Sequence, residues 1–135
     1  YYPVLPHTHY QRDFGGIAFL KECYEALEGD YEGVVARLRS EKMVQKFVLK
    51  FLNDKSYELL EASLKEENYE EAFRAAHTIK GVCQNLNFTK LYESSSRLTE
   101  SLRSGKGEET DELLEQVRKD YQQTADAIQA FGAEV

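Results

Sequence analysis

The chain has 135 residues, of which 41% are hydrophobic and 30% charged, with a net charge of −7 and only two prolines. That length suits one domain with a core of its own, and the composition suits a globular, helix-rich chain. The acidic balance argues against a nucleic-acid backbone or an anionic membrane as partner, because both select for surfaces rich in lysine and arginine.

Residues 1–16 read as a leader. "YYPVLPHTHYQRDF" lacks both the basic start and the apolar stretch of a secretory signal. His7 and His9, two positions apart, achieve little as metal ligands without a third. A single domain is expected over 17–135, with short capping helices at 17–53 and a bundle at about 55–131.

From Ile17 the pattern is helical. "IAFLKECYEALEG" (17–29) brings Phe19, Leu20, Tyr24 and Leu27 together and closes on Gly29, which suits a helix C-terminus. "YEGVVARLRS" (31–40) predicts a short second helix. Ser40 is placed to cap a third, "EKMVQKFVLKFLN", with Met43, Phe47, Val48 and Phe51 on one stripe. Turn formers cluster at "NDKS" (53–56), where Asp54 or Ser56 is the candidate cap for "YELLEASLKEEN", which carries Leu59, Leu60 and Leu64. Asn68 and Glu71 have capping-box spacing for the next helix, "YEEAFRAAHTIKGVCQNL". After "NLNF", "TKLYESSSRLTESLRSG" sets Leu91, Leu98 and Leu102 at helical spacing and ends at Gly105 and Gly107. Thr110 is the candidate cap for "DELLEQVRKDYQQTADAIQAF", which repeats Leu114, Val117, Tyr121, Thr124, Ile128 and Phe131.

No strand-like alternation interrupts this series, so the fold class is all-α. Four long consecutive helices joined by short loops predict an antiparallel up-down four-helix bundle with short N-terminal capping helices. No run is long enough to span a bilayer, and even "FVLKFL" is broken by Lys50. Cys23 and Cys83, the only cysteines, have no close-spaced metal or redox pattern. They point to a reducing compartment, and the expected location is cytoplasmic.

One helix does not read as ordinary packing. At about 100° per residue, Ala72, Ala75, Ala76, Ile79, Val82, Cys83 and Leu86 fall within roughly 60° of Ile79 and form its core stripe. His77 lies about 160° from Ile79 and faces outward despite its apolar sequence neighbours. Glu70, Phe73, Arg74, Lys80, Gly81 and Gln84 share its face, because positions three, four and seven apart line up on a helix.

That grouping suggests chemistry. An imidazole, with a reference pKa of about 6.5, supplies a neutral nitrogen nucleophile near pH 7. Lys80, one turn along, places an ammonium where transferred phosphoryl oxygens would lie, and charge stabilisation is most of what phosphoryl transfer needs. Gly81 costs the helix about 1 kcal/mol relative to alanine. Its return is room for a partner's backbone beside His77. Phe73, Arg74 and Gln84 are candidate contacts for that partner, Phe73 alternatively packing against the N-terminal helices.

"AHTIKGVCQNLNF" (76–88) resembles the signature of histidine-containing phosphotransfer (HPt) domains, through Ala76, His77, Ile79, Lys80, Gly81 and Leu86. The resemblance covers about residues 55–131. Val82 stands where a small residue is common after the glycine, Asn87 where a glycine commonly ends the helix, and Thr99 where some members carry a glutamine supporting the histidine ring.

The resemblance implies that His77 takes a phosphoryl group from the aspartyl phosphate of one response-regulator receiver domain and passes it to the aspartate of another. Lys80 then neutralises developing charge and Gly81 admits the partner. The implied partners are receiver domains and a sensor histidine kinase, with no nucleic acid and no membrane, and the chain is expected to be a monomer. No metal site or cofactor is expected in the chain, Mg²⁺ belonging to the receiver's acidic pocket. No Gly-rich phosphate loop follows a strand, so the expectation is a phosphotransfer intermediate and not a kinase. The phospho-accepting domain of a larger histidine kinase, a non-catalytic helical binding module and a plain structural bundle remain as alternatives.

Overall fold

The computed structural model describes residues 16–135, so the leader up to Gly15, with His7 and His9, lies outside the described residues. Seven helices follow in order: α1 (Leu20–Leu27), α2 (Tyr31–Leu38), α3 (Glu41–Phe51), α4 (Ser56–Lys65), α5 (Tyr69–Leu86), α6 (Thr89–Leu102) and α7 (Thr110–Gly132). The described residues contain no strand, and none of their helices is long and apolar enough to cross a membrane.

Side-chain caps open three of the seven described helices. Asp30, Ser40 and Asn68 accept hydrogen bonds from the backbone N–H groups of Gly33, Met43 and Glu71, at 3.0, 3.3 and 3.1 Å. Each satisfies a donor that the first helical turn leaves without a partner. Asp54 accepts from the Ser56 N–H at 2.8 Å and shapes the entry to α4. Thr110 behaves differently from a cap. It is the first residue of α7, and its hydroxyl accepts from the Gly107 N–H and pairs with Ser101 Oγ, both at 2.8 Å, so it closes the α6–α7 loop.

Helix ends use left-handed backbone without glycine. Glu28, Arg39, Glu67 and Asn87 adopt φ of 60°, 65°, 58° and 55°. Asn87 is the residue type that tolerates this conformation best after glycine. At the end of α1 the turn falls on Glu28, one position before Gly29, and Gly29 serves close approach: a Cβ there would lie 2.7 Å from the Asn87 carbonyl oxygen.

The core draws on every helix. α4 packs on α5, α5 on α6, α6 on α7, and α1 on α7. Leu20, Cys23, Tyr24 and Leu27 of α1 are buried, as are Val44, Val48 and Phe51 of α3 and Leu60 of α4. Three expected core residues point outward: Phe19 at 67% exposure, Met43 at 41% and Leu59 at 44%. Phe19 precedes the first turn of α1. In α3 the expected Val48 and Phe51 are buried and Phe47 partly so, while Val44 takes the inward place of Met43; in α4 Leu60 is buried beside the exposed Leu59.

Aromatic rings join the elements. Phe88 meets Phe51 edge-on at 5.2 Å and Tyr24 at 5.6 Å, and Tyr57 stacks on Tyr121 at 3.9 Å. Such pairs contribute about 0.5–1.5 kcal/mol each beyond their area. Alongside the last pair, Arg118 of α7 grips Glu61 of α4 through Nε and Nη2, both at 2.8 Å. Lys90 opens α6 by binding Glu28 and Gln123, each at 3.0 Å, and Gln123 donates to the Ala26 carbonyl at 2.8 Å. Both cysteines are free and buried. Burial pushes the Cys23 thiol up to about 12 and raises that of Cys83 too, which keeps both protonated and inert.

Candidate functional site

Helix α5 owes its orientation to its small-residue stripe. Ala72, Ala75, Ala76, Ile79, Cys83 and Leu86 are buried, while Val82 is only half-buried at the stripe's edge. Sinking the alanines brings the helix backbone close to its neighbours and turns the opposite face to solvent. His77, Arg74 and Gln84 are exposed there, with Phe73, Lys80 and Gly81 half-buried. The far end of the helix is tied to the N-terminal elements. The Tyr24 hydroxyl donates to the Leu86 carbonyl at 2.7 Å, Arg37 Nη1 to the Gln84 carbonyl at 3.1 Å, and the Asp30 N–H to the Asn87 carbonyl at 2.9 Å.

Around His77 the contacts are sparse and specific. Its ring lies nearly parallel to that of Phe73, with 19° between planes and 6.1 Å between centroids. The guanidinium of Arg103, just beyond the end of α6, sits over the Phe73 ring at 5.2 Å. Glu100 holds Arg103 in a fork, through Nε at 3.1 Å and Nη2 at 2.7 Å. That fork keeps the Glu100 carboxyl below the usual carboxylate range, with a smaller contribution from the nearby charge of Lys80. A Cβ added at Gly81 would meet nothing within 4 Å.

Two residues expected at the site make hydrogen bonds within their own helices. Arg74 is occupied on its own helix, bonded to Glu70 at 3.0 Å and Glu71 at 3.2 Å. Thr99 is fully buried and its hydroxyl donates to the Ser95 carbonyl at 2.7 Å, so that proton is spent inside α6. Gln84 keeps its side chain exposed while its carbonyl serves Arg37.

Chemically, the face offers one exposed imidazole, a cation one turn away and open space on the side of Gly81. It offers no carboxylate cage. Among the described residues no group of histidine, cysteine, aspartate and glutamate side chains could hold a metal ion. The exposed imidazole of His77 is open to a group brought from outside the chain.

The model of the Hpt domain family matches residues 51–127, which takes in α4, α5, α6 and most of α7. The chain belongs to the Hpt domain family. No curated protein matches the chain, and no solved structure does. Hpt domains are phosphotransfer intermediates of two-component phosphorelays, not kinases, and they interact with response regulators and histidine kinases. Within the Hpt match, His77, Lys80 and Gly81 lie mid-helix on α5.

Arg103 and Glu100 are the members of this Hpt face that sequence reasoning missed. The signal was available in the topology: α6 doubles back along α5 after the turn at Asn87 and Phe88, which sets its last residues beside the start of α5. A helix taken to end in "RSG" hid it, because Arg103 then reads as a terminal surface residue.

Proposed function

We propose that this chain relays phosphoryl groups between aspartates of response-regulator receiver domains through His77. The observation that carries the reading is the outward imidazole beside an open Gly81, which together leave a docked receiver a clear approach. In the forward step, neutral His77 attacks phosphorus through Nε2 while Nδ1 keeps its proton. The N–P bond forms as the acyl O–P bond of the aspartyl phosphate breaks, and the receiver's aspartate departs as a carboxylate. The reverse step on a second receiver restores the imidazole.

Lys80 neutralises charge on the phosphoryl oxygens as they pass. Mg²⁺ is brought by the receiver's acidic pocket, and the chain works without a cofactor of its own. On this reading α4–α7 form an antiparallel up-down four-helix bundle, α1–α3 cap it within a single domain over 17–135, and the protein acts as a cytoplasmic monomer.

The test is incubation with a phosphorylated receiver domain, scored for acid-labile label on this chain. The parent is expected to take label and His77→Gln none, with helicity and melting nearly unchanged, because an exposed helix position is usually worth within about 0.5 kcal/mol. Undiminished labelling of His77→Gln would remove His77 from the role.

A further inference from the structure

His77 makes no side-chain hydrogen bond to any described residue, and its one ring neighbour among them is Phe73. Rotation of a histidine ring about χ2 is broad and roughly two-fold when nothing restrains it. In-line attack needs the Nε2 lone pair, which lies in the ring plane, aimed at phosphorus to within a narrow cone. Something has to narrow the rotation, and among the described residues no polar group does.

Helix geometry supplies the alternative. Side chains on a helix lean toward its N-terminus, so residue i lies over residue i−4. His77 thus leans onto Phe73, and the two planes are only 19° from parallel. Phe73 is itself restrained, packed in part against the core and covered by the Arg103 guanidinium at 5.2 Å. Arg103 in turn is fixed by two hydrogen bonds to Glu100. The chain of restraint runs from α6 to the imidazole, with each contact planar or bidentate.

We infer that Phe73, buttressed by Arg103, is a positioning residue that sets the plane of the His77 ring for phosphoryl transfer. This rests on the phosphotransfer reading of His77 and goes beyond it, because Phe73 acts through the histidine and not on the partner. It also gives Arg103 a use that its place at a helix end does not otherwise explain.

Phe73→Leu keeps apolar volume and removes the flat face, while Phe73→Tyr keeps both. In the parent, the His77 ring protons are expected to show an upfield ring-current shift by NMR, lost in Phe73→Leu and retained in Phe73→Tyr. Transfer from a phosphorylated receiver should fall about tenfold in kcat for Phe73→Leu, with KM unchanged, and return in Phe73→Tyr. Arg103→Gln should move both readouts in the same direction by less.

A rise in KM at unchanged kcat would make Phe73 a docking contact and overturn the inference. So would ring-proton shifts or kcat that stay as in the parent when Phe73 becomes leucine. Labelling of the parent by phosphoramidate and by the receiver, with His77→Gln as the blank, is read separately. Absence of label there overturns the phosphotransfer reading itself, and the positioning role with it.

Discussion

Replacing Gly81 by alanine adds a methyl group that meets no atom within 4 Å. The change therefore carries the helix-propensity gain of about 0.8–1 kcal/mol without a packing cost. For a domain of this size that corresponds to a rise in Tm of about 3–5 °C. Gly29→Ala is the contrasting case, because its Cβ would lie 2.7 Å from the Asn87 carbonyl oxygen and 2.8 and 2.9 Å from Leu27 and Tyr24 side-chain atoms. Crowding of that kind costs about 1–3 kcal/mol, so Tm should move the opposite way. The functional arm uses Gly81→Gln, whose side chain projects into the same open space beside His77. Phosphotransfer from a receiver domain should fall far more for glutamine than for alanine, while labelling by phosphoramidate stays near the parent rate in both. Thermal melts and the two labelling assays read these out together. A lower Tm for Gly81→Ala, or a loss of phosphoramidate labelling as steep as the loss of receiver transfer, would refute the view that this glycine keeps space for a partner.

Lys80→Ala should slow transfer, by up to about a hundredfold, or shorten the life of the phosphohistidine, more than it weakens receiver binding; equal transfer and hydrolysis rates in mutant and parent would take Lys80 out of the site. Glu61 offers a test of the α4–α7 clamp. Burial raises its carboxyl, but hydrogen bonds from Arg118 and Tyr57 outweigh this and lower it overall. A lowered folded pKa contributes stability that is present above the unfolded value and is lost as pH falls through the folded one. Glu61→Gln should therefore cost about 1 kcal/mol at pH 7, given the partial exposure of the pair. That difference should shrink in urea melts below about pH 4.5, and a pH-independent gap would count against the ion pair as its source.

The sequence made the helices and the outward turn of His77 legible because both follow from periods that one helix sets by itself. Alanine and leucine spacing located the buried stripe of α5, and the opposite face followed by arithmetic. Side chains whose placement depends on a second helix were harder to read. Met43 and Val44 are adjacent and both apolar, and only the direction of the neighbouring elements decides that Val44 goes in. Thr99 has the right place along α6 to approach His77, yet its hydroxyl bonds within its own helix. On α7, Asp120, Gln123 and Asp126 are buried. For Gln123 the partners are Lys90, Glu28 and Ala26, which come from α6 and the end of α1 and cannot be found by periodicity.

The ties between α5 and the N-terminal helices bear on where the working unit begins. The family match starts at Phe51, but the donors to the carbonyls of Gln84, Leu86 and Asn87 are Arg37, Tyr24 and Asp30. A fragment trimmed to the matched span would leave the Leu86 and Asn87 oxygens to water, leave that of Gln84 with only the Asn87 N–H at 3.4 Å, and let the last turn of α5 fray, within two turns of His77. Residues outside the recognisable family segment are thus mechanical supports of the helix that defines it. Swapping the N-terminal helices between relatives would change the stiffness of that helix without altering a single residue on its exposed face.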